Sequence, residues 1–138
     1  MASILRVDTL TDASSNNSTA MSTINQGTAK AWIAHDGTST GAARDSFNNS
    51  SLTDLSTGLY KYNFTNNFSA AKSYTNNGCM GHSSDHLTYI KQINPHNSND
   101  ILTSSVEVGA MYIGTSGSHD FGTHDYDYVN HSALGDIA

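Results

Sequence analysis

The sequence predicts an all-β fold, an antiparallel β-sandwich of jelly-roll-like type preceded by an extended N-terminal arm. Ser, Thr and Asn supply 49 of the 138 residues, and these short polar or β-branched side chains disfavour helices. No window of ten residues carries apolar groups at helical spacing, whereas short alternating segments recur between turn clusters. Several short strands separated by turns at intervals of about ten residues are typical of an antiparallel sandwich.

Residues 1–28 are predicted to form an assembly arm. They contain two short extended segments, 4–10 and 20–24, joined by a polar, turn-rich loop. Because the arm holds too few large apolar groups for a core of its own, we expect it to pack on the main domain or on another chain. Extended segments of this kind can add strands to the sheet edge of a neighbour. The apolar contacts of the arm are assigned to Ile4, Leu5, Val7, Leu10, Met21 and Ile24.

Residues 29–138 are predicted to form the sandwich domain. The segment 29–34 contains the only tryptophan and ends at an Asp-Gly turn signal. The clearest hairpin spans 46–64, where three aromatic residues alternate and should share one face. These three residues are Tyr60, Tyr62 and Phe64. Further strands are predicted at 70–75, 78–81, 87–93, 101–113 and 126–134.

Seven histidines, several of them beside aspartates, raise the question of a metal site. His119, His124 and Asp125 lie close together in the sequence, and imidazole with carboxylate is a usual ligand set for divalent metals. Their spacing matches no known metal motif. The alternative is that these residues occupy exposed loops and hydrogen-bond to one another.

The sequence predicts no enzymatic activity and no cofactor. It contains neither a G-x-S-x-G nucleophile elbow nor a glycine-rich phosphate loop before a helix. Glu107, the only glutamate, stands between two valines and should point away from them. A pair of acid and base carboxylates would have to come from the aspartates. The candidates are Asp85, Asp120, Asp125 and Asp127.

A glycan contact is predicted at Tyr126, Asp127 and Tyr128 as a further hypothesis. Sugar C–H faces pack on aromatic rings, while sugar hydroxyls bond to carboxylates and amides. Strand alternation would place the two tyrosines on one face, opposite Asp127. The competing interpretation makes both tyrosines part of the core and its rim.

The charge pattern argues against nucleic-acid and membrane partners. Charged residues make up 13% of the chain and the formal net charge is −6, so no basic surface is available for phosphates or anionic lipids. No apolar run approaches the ~18 residues of a membrane span, and no membrane insertion is expected. The single cysteine, Cys79, excludes an intrachain disulfide.

Three segments resemble small virion structural proteins of tailed bacteriophages, especially the tail-fibre-like proteins of marine and cyanobacterial phages. They are the opening ILRVDTLTDASSNNSTAMSTI, the block GTAKAWIAHDGTSTGAARDSFNNSSLTDLSTGLYKYNFTNNF and the ending YVNHSALGDIA. The resemblance implies a β-rich protein that forms homo-oligomers, commonly trimers, and binds other virion proteins of the tail or capsid. It also implies a location in the virion after synthesis in the cytoplasm of the host bacterium.

The role expected from this resemblance is a tail-fibre or tail-associated component that attaches through the N-terminal arm and presents loops to the host surface. A capsid decoration or head-fibre protein that staples coat subunits is one alternative. A glycan-binding, lectin-like module is the other, since some members of the family bind host surface glycans.

Overall fold

A computed structural model describes residues 6–14, 18–39, 42–81, 89–95, 101–114 and 121–138. These residues form antiparallel β-strands and one short helix, so the predicted all-β class is confirmed. The elements are β1 Thr9–Thr11, β2 Ser18–Ala20, α1 Met21–Gly27, β3 Ala29–His35, β4 Ala43–Phe47, β5 Asn49–Ser56, β6 Leu59–Phe64, β7 Thr75–Gly81, β8 Tyr89–Pro95, β9 Ser105–Gly114, β10 Phe121–Thr123 and β11 Tyr128–Leu134.

The strands are arranged in three antiparallel sheets. A four-stranded sheet has the order β4-β3-β11-β7, and a five-stranded sheet has the order β10-β9-β6-β5 with β8 paired to β9. Among the described residues, the short strands β1 and β2 pair with each other in a separate two-stranded sheet. The two larger sheets share one core, which gives the domain a sandwich-like architecture.

The core is built from alternate residues of β3, β6, β9 and β11. In β6 the aromatic side chains of Tyr60, Tyr62 and Phe64 are 0%, 0% and 6% exposed, which confirms that they share one face. Alternation also places Val106 and Val108 inside and leaves Glu107 half-buried on the other face. The remaining inward residues of these four strands are Ala31, Ile33, His35, Ala110, Val129, His131 and Ala133.

One end of the core is closed by Phe64, Phe68 and Tyr74. The Phe68 and Tyr74 rings stack with centroids 4.1 Å apart, and Phe64 meets Phe68 edge-on at 4.9 Å. The Tyr74 hydroxyl donates to the carbonyl of Leu102 at 2.7 Å. The predicted strand at 70–75 is wrong up to Tyr74, because the Ser73 hydroxyl bonds the Ala70 carbonyl and closes a turn. Strand β7 therefore begins only at Thr75.

Between β4 and β5 the chain passes from one larger sheet to the other through one residue, Asn48. Its φ of +55° is unusual for a residue other than glycine, and it separates β4 from β5 where the sequence indicated one continuous segment. The Asn48 side chain holds this corner through hydrogen bonds with Asn66. Next to it, the Asn49 amide donates to the carbonyl of Trp32 at 2.7 Å.

The N-terminal segment contains two short strands, but not both at the predicted places. The first, Thr9–Thr11, overlaps the end of the predicted segment 4–10, and the second, Ser18–Ala20, lies almost entirely before segment 20–24. Residues 21–24 belong instead to helix α1, with Met21 and Ile24 three positions apart and both half-buried. The Thr28 hydroxyl donates to the Ile24 carbonyl at 2.5 Å and ends this helix.

Candidate functional site

The predicted assembly residues are exposed wherever β1 and its flank are described. Val7 and Leu10 are 37% and 48% exposed, and all six residues of β1 and β2 are exposed. Met21 and Ile24 are half-buried in α1, while Ile4 and Leu5 lie outside the described residues. A hairpin of two three-residue strands is marginal in water without something to pack on.

The predicted glycan contact at Tyr126, Asp127 and Tyr128 does not form one surface. Tyr126 is 3% exposed and precedes β11, so strand alternation does not apply to it. Its carbonyl accepts a hydrogen bond from the Gly37 amide at 2.8 Å, which locks it into the domain. Tyr128 is 51% exposed, with the Arg44 guanidinium 4.9 Å from its ring centroid. The expectation that both tyrosines share a face is therefore wrong.

Asp125 holds the turn between β5 and β6. Its Oδ1 atom accepts a hydrogen bond from the Gly58 amide at 2.6 Å and another from the Tyr60 hydroxyl at 2.9 Å. The proposed metal ligand His119 lies outside the described residues, and His124 is exposed. Within the described part of the chain, no three His, Cys, Asp or Glu residues are grouped to hold a metal ion.

The structure describes some of the acidic residues that were considered for catalysis. The Glu107 carboxylate pairs with the Lys61 ammonium at 3.1 Å across β6 and β9, an arrangement worth about 0 to 1 kcal/mol at a partly exposed position. Asp125 is engaged at the β5–β6 turn, and Asp127 is half-buried. Asp85 and Asp120 lie outside the described residues.

A buried histidine pair, which the sequence analysis missed, lies at the centre of the core. His35 and His131 are 0% and 3% exposed. The Nε2 atom of His35 is 3.0 Å from the Tyr62 hydroxyl, and the Tyr62 ring lies 5.0 Å from that of His131. The Nε2 atom of His131 is in turn 2.9 Å from the Asn76 side-chain oxygen. Both histidines occupy inward positions of strands whose other inward residues are apolar, and this alternation was the available signal.

Burial keeps both histidines neutral. Desolvation lowers the pKa of His35 to about 4, with the neighbouring Asp36 opposing the shift only in part. Desolvation likewise lowers the pKa of His131 to about 4, and the nearby His35 adds to the effect. Two uncharged imidazoles therefore serve as hydrogen-bonding core residues at neutral pH.

Burial also suppresses ionisation of three core tyrosines. It raises the pKa of Tyr60, Tyr62 and Tyr74 well above the usual range, and the hydrogen bond to Asp125 raises that of Tyr60 further. A tyrosine of the unfolded chain ionises near pH ~10. The folded state therefore retains protons that the unfolded state loses, and stability should fall as the pH rises above about 10.

We expect the phenols of Tyr60, Tyr62 and Tyr74 to ionise only when the protein unfolds in alkali. The phenolate absorbance of these three residues should rise together with the loss of near-ultraviolet circular dichroism. Tyr62→Phe should remove one phenolate from that cooperative step, whereas Tyr128→Phe, at an exposed position, should leave the step unchanged. Ionisation of all tyrosines before any loss of tertiary signal would contradict the assignment.

No helix in the described residues is sufficiently long and apolar to cross a bilayer. Comparisons with protein families, with curated proteins and with solved structures find no match to this chain.

Proposed function

We propose that this protein is a non-enzymatic structural component of a tailed-bacteriophage virion, in a tail fibre or another tail-associated position, attached through residues 1–28. The observation that carries the proposal is the separate β1–β2 sheet, whose strand residues are all exposed. The resemblance of three sequence segments to such virion proteins supplies the context.

The exposed apolar residues of this sheet give the attachment its physical basis. Val7 and Leu10 lie on or beside β1 with 37% and 48% of their surface exposed, and burying apolar surface stabilises a contact by about 25 cal/mol per Å². A short hairpin with such residues gains order when its strands join the sheet edge of a neighbour. One hairpin per subunit, passed around a symmetry axis, closes a ring, and a homotrimer is the oligomer proposed here.

In the proposed assembly, the N-terminal arm and the sandwich domain have different roles. Residues 29–138 form a jelly-roll-like sandwich that projects from the particle, while residues 1–28 act as the assembly arm. With 13% charged residues and 49 Ser, Thr and Asn side chains in the chain, a contact surface carries few ions that would have to be desolvated. Other virion proteins of the tail are the proposed partners.

Removing the arm should abolish assembly while preserving the domain. We expect the full chain to be oligomeric by light scattering, and a variant without residues 1–28 to be monomeric with unchanged β-type circular dichroism. Leu10→Asp should weaken the oligomer in the same direction. Leu55→Asp, a change at a similarly exposed leucine of β5 (46% exposed), is the matched control and should leave the oligomer intact. A full chain that is monomeric at micromolar concentration would overturn the proposal.

The position of the protein in an imaged particle separates the tail role from its runner-up. An arm of this kind can also staple neighbouring coat subunits, as a capsid decoration or head-fibre protein would do. Density for the domain on the tail supports the proposal. Density on the capsid surface replaces it with the decoration role.

A further inference from the structure

The four-stranded sheet presents rings and amides together on the side that faces away from the core. Pairing places Phe47, Trp32, Ser132 and Asn77 side by side in one row across β4, β3, β11 and β7. Asn130 belongs to the next row, between Ala34 and Cys79. We call Trp32, Phe47, Asn77, Asn130 and Ser132 the outer face.

We propose that the outer face binds a neutral saccharide, with a sugar ring stacked on the two aromatic side chains and its hydroxyls bonded to the amide and hydroxyl groups beside them. The glycan contact expected at Tyr126, Asp127 and Tyr128 is thereby moved to residues of the four-stranded sheet. This inference does not rest on the proposed virion role.

Backbone pairing and hydrogen bonds hold the two aromatic residues of the outer face, Trp32 and Phe47, next to each other. Trp32 and Phe47 are directly paired across β3 and β4, so their side chains are neighbours on one side of the sheet. Phe47 is 53% exposed, and Trp32 is half-buried. The Asn49 amide bonds both the Trp32 and the Phe47 carbonyls, at 2.7 and 2.9 Å. This bridge ties the end of β4 to the middle of β3 before any ligand arrives.

The polar half of the outer face lines a shallow depression. Asn77, Asn130 and Ser132 lie around it with Gly78, Cys79 and His131. The Asn130 amide donates to the Cys79 sulfur at 3.6 Å. Sulfur is a weak acceptor, so a sugar hydroxyl offers Asn130 a better one. An amide both donates and accepts, which suits hydroxyl groups that do the same.

The charges near the outer face favour a neutral ligand over a charged one. Arg44 is paired with Asp36 at 3.0 Å and lies over the Tyr128 ring, while Lys30 stands on β3 two residues before Trp32. Asp45 adds a negative charge on β4 in the same row as Asn130. Because Lys30 and Asp45 carry opposite charges, the surface favours neither an anionic nor a cationic ligand, whereas a neutral sugar can donate a hydroxyl to Asp45.

A neutral saccharide also fits the outer face better than a second copy of the chain. Burying two amides and a hydroxyl against another protein leaves them unsatisfied unless matching groups stand opposite each of them. A sugar ring has one small apolar face surrounded by several hydroxyls. The apolar face can pack on the aromatic rings while the hydroxyls bond to the amides and the Ser132 hydroxyl.

Trp32 is the only tryptophan in the chain, so its fluorescence reports directly on the outer face. The purified full chain is titrated with dextran, mannan, galactan, cello-oligosaccharides and chito-oligosaccharides. We expect a saturable shift in Trp32 emission with at least one of them. Phe47→Ala and Asn130→Ala should each weaken that response roughly tenfold. Leu55→Ala, on the other larger sheet, is the control and should leave it unchanged.

Two results would overturn the inference. One is the absence of a saturable change with every saccharide of the panel. The other is a loss of oligomeric state in Phe47→Ala without any saccharide response in the parent chain, which would make the outer face an interface between copies. Because the titration measures Trp32 emission and the attachment test measures the oligomeric state of arm variants, the two outcomes are distinct.

Discussion

Acidification from neutral pH to about pH 4 is expected to lower the stability of this protein by several kcal/mol. The two groups responsible are His35 and His131, which the core holds neutral with pKa values lowered to about 4. In the unfolded chain the same side chains take up protons near pH ~6.5. Below that pH the unfolded state binds more protons than the folded state, so the free energy of unfolding falls with pH.

The size of the effect follows from the two shifts. Each histidine contributes up to about 3 kcal/mol to the free energy of unfolding at neutral pH. This contribution is lost progressively between about pH 6.5 and pH 4, and below pH 4 it does not change further. Together the two contributions amount to about 6 kcal/mol, a large share of the roughly 5 to 15 kcal/mol that stabilises a small domain. The main cause is burial, which removes both imidazoles from water, and His35 also has no acceptor in bonding geometry at its buried Nδ1 atom in the described residues.

Urea unfolding at a series of pH values measures this dependence. The slope between pH 4 and pH 6.5 should correspond to an uptake of about two protons on unfolding. His35→Gln and His131→Gln keep an amide for Tyr62 and Asn76 but do not titrate, so each should lower the slope by about one proton. His124→Gln, the same change at an exposed position, should not alter it. An unchanged slope in both core variants would refute the assignment.

The sequence predicted the parts of the fold that depend on short-range alternation. Tyr60, Tyr62 and Phe64 were assigned to one face because period-2 spacing is visible within six residues. Alternation wrongly predicted a strand at 20–24. Met21 and Ile24 are three positions apart, a spacing that places them on one face of a helix. A strand and a helix are therefore both compatible with this short segment. The hydrogen bond from the Thr28 hydroxyl to the Ile24 carbonyl identifies the helix, but it is visible only once the backbone is known.

The candidate sites were harder to predict because they depend on pairing between distant segments. Trp32, Phe47, Ser132 and Asn77 meet only through the register of four strands, and a single sequence contains no register. Tyr126 was placed on the wrong surface because its strand begins two residues later, at Tyr128. His35 and His131 could have been identified from their alternation with Ile33, Val129 and Ala133.

The β5–β6 turn gives the second large effect, since Gly58→Ala should destabilise the protein by about 3 to 5 kcal/mol. Gly58 has a φ of +66°, which an alanine adopts only with strain. A Cβ atom there would stand 2.5 Å from the backbone nitrogen of His124. Because that neighbour is main chain, relief requires the two segments to separate.

Separation would also break the hydrogen bonds that join this turn to the core. The Gly58 amide and the Tyr60 hydroxyl both donate to Asp125, and the Gly58 carbonyl accepts from the Ala110 amide at 2.7 Å. We therefore expect the denaturation midpoint of Gly58→Ala to fall far more than that of Gly81→Ala, where an added Cβ meets no atom within 4 Å. The denaturation midpoint of Asp125→Asn should lie between those of the two alanine variants. Its amide oxygen still accepts a hydrogen bond from the Gly58 amide, but it lacks the charge that strengthens the bond. Equal midpoints for the two alanine variants would show that the turn does not depend on its contact with residues 124 and 125.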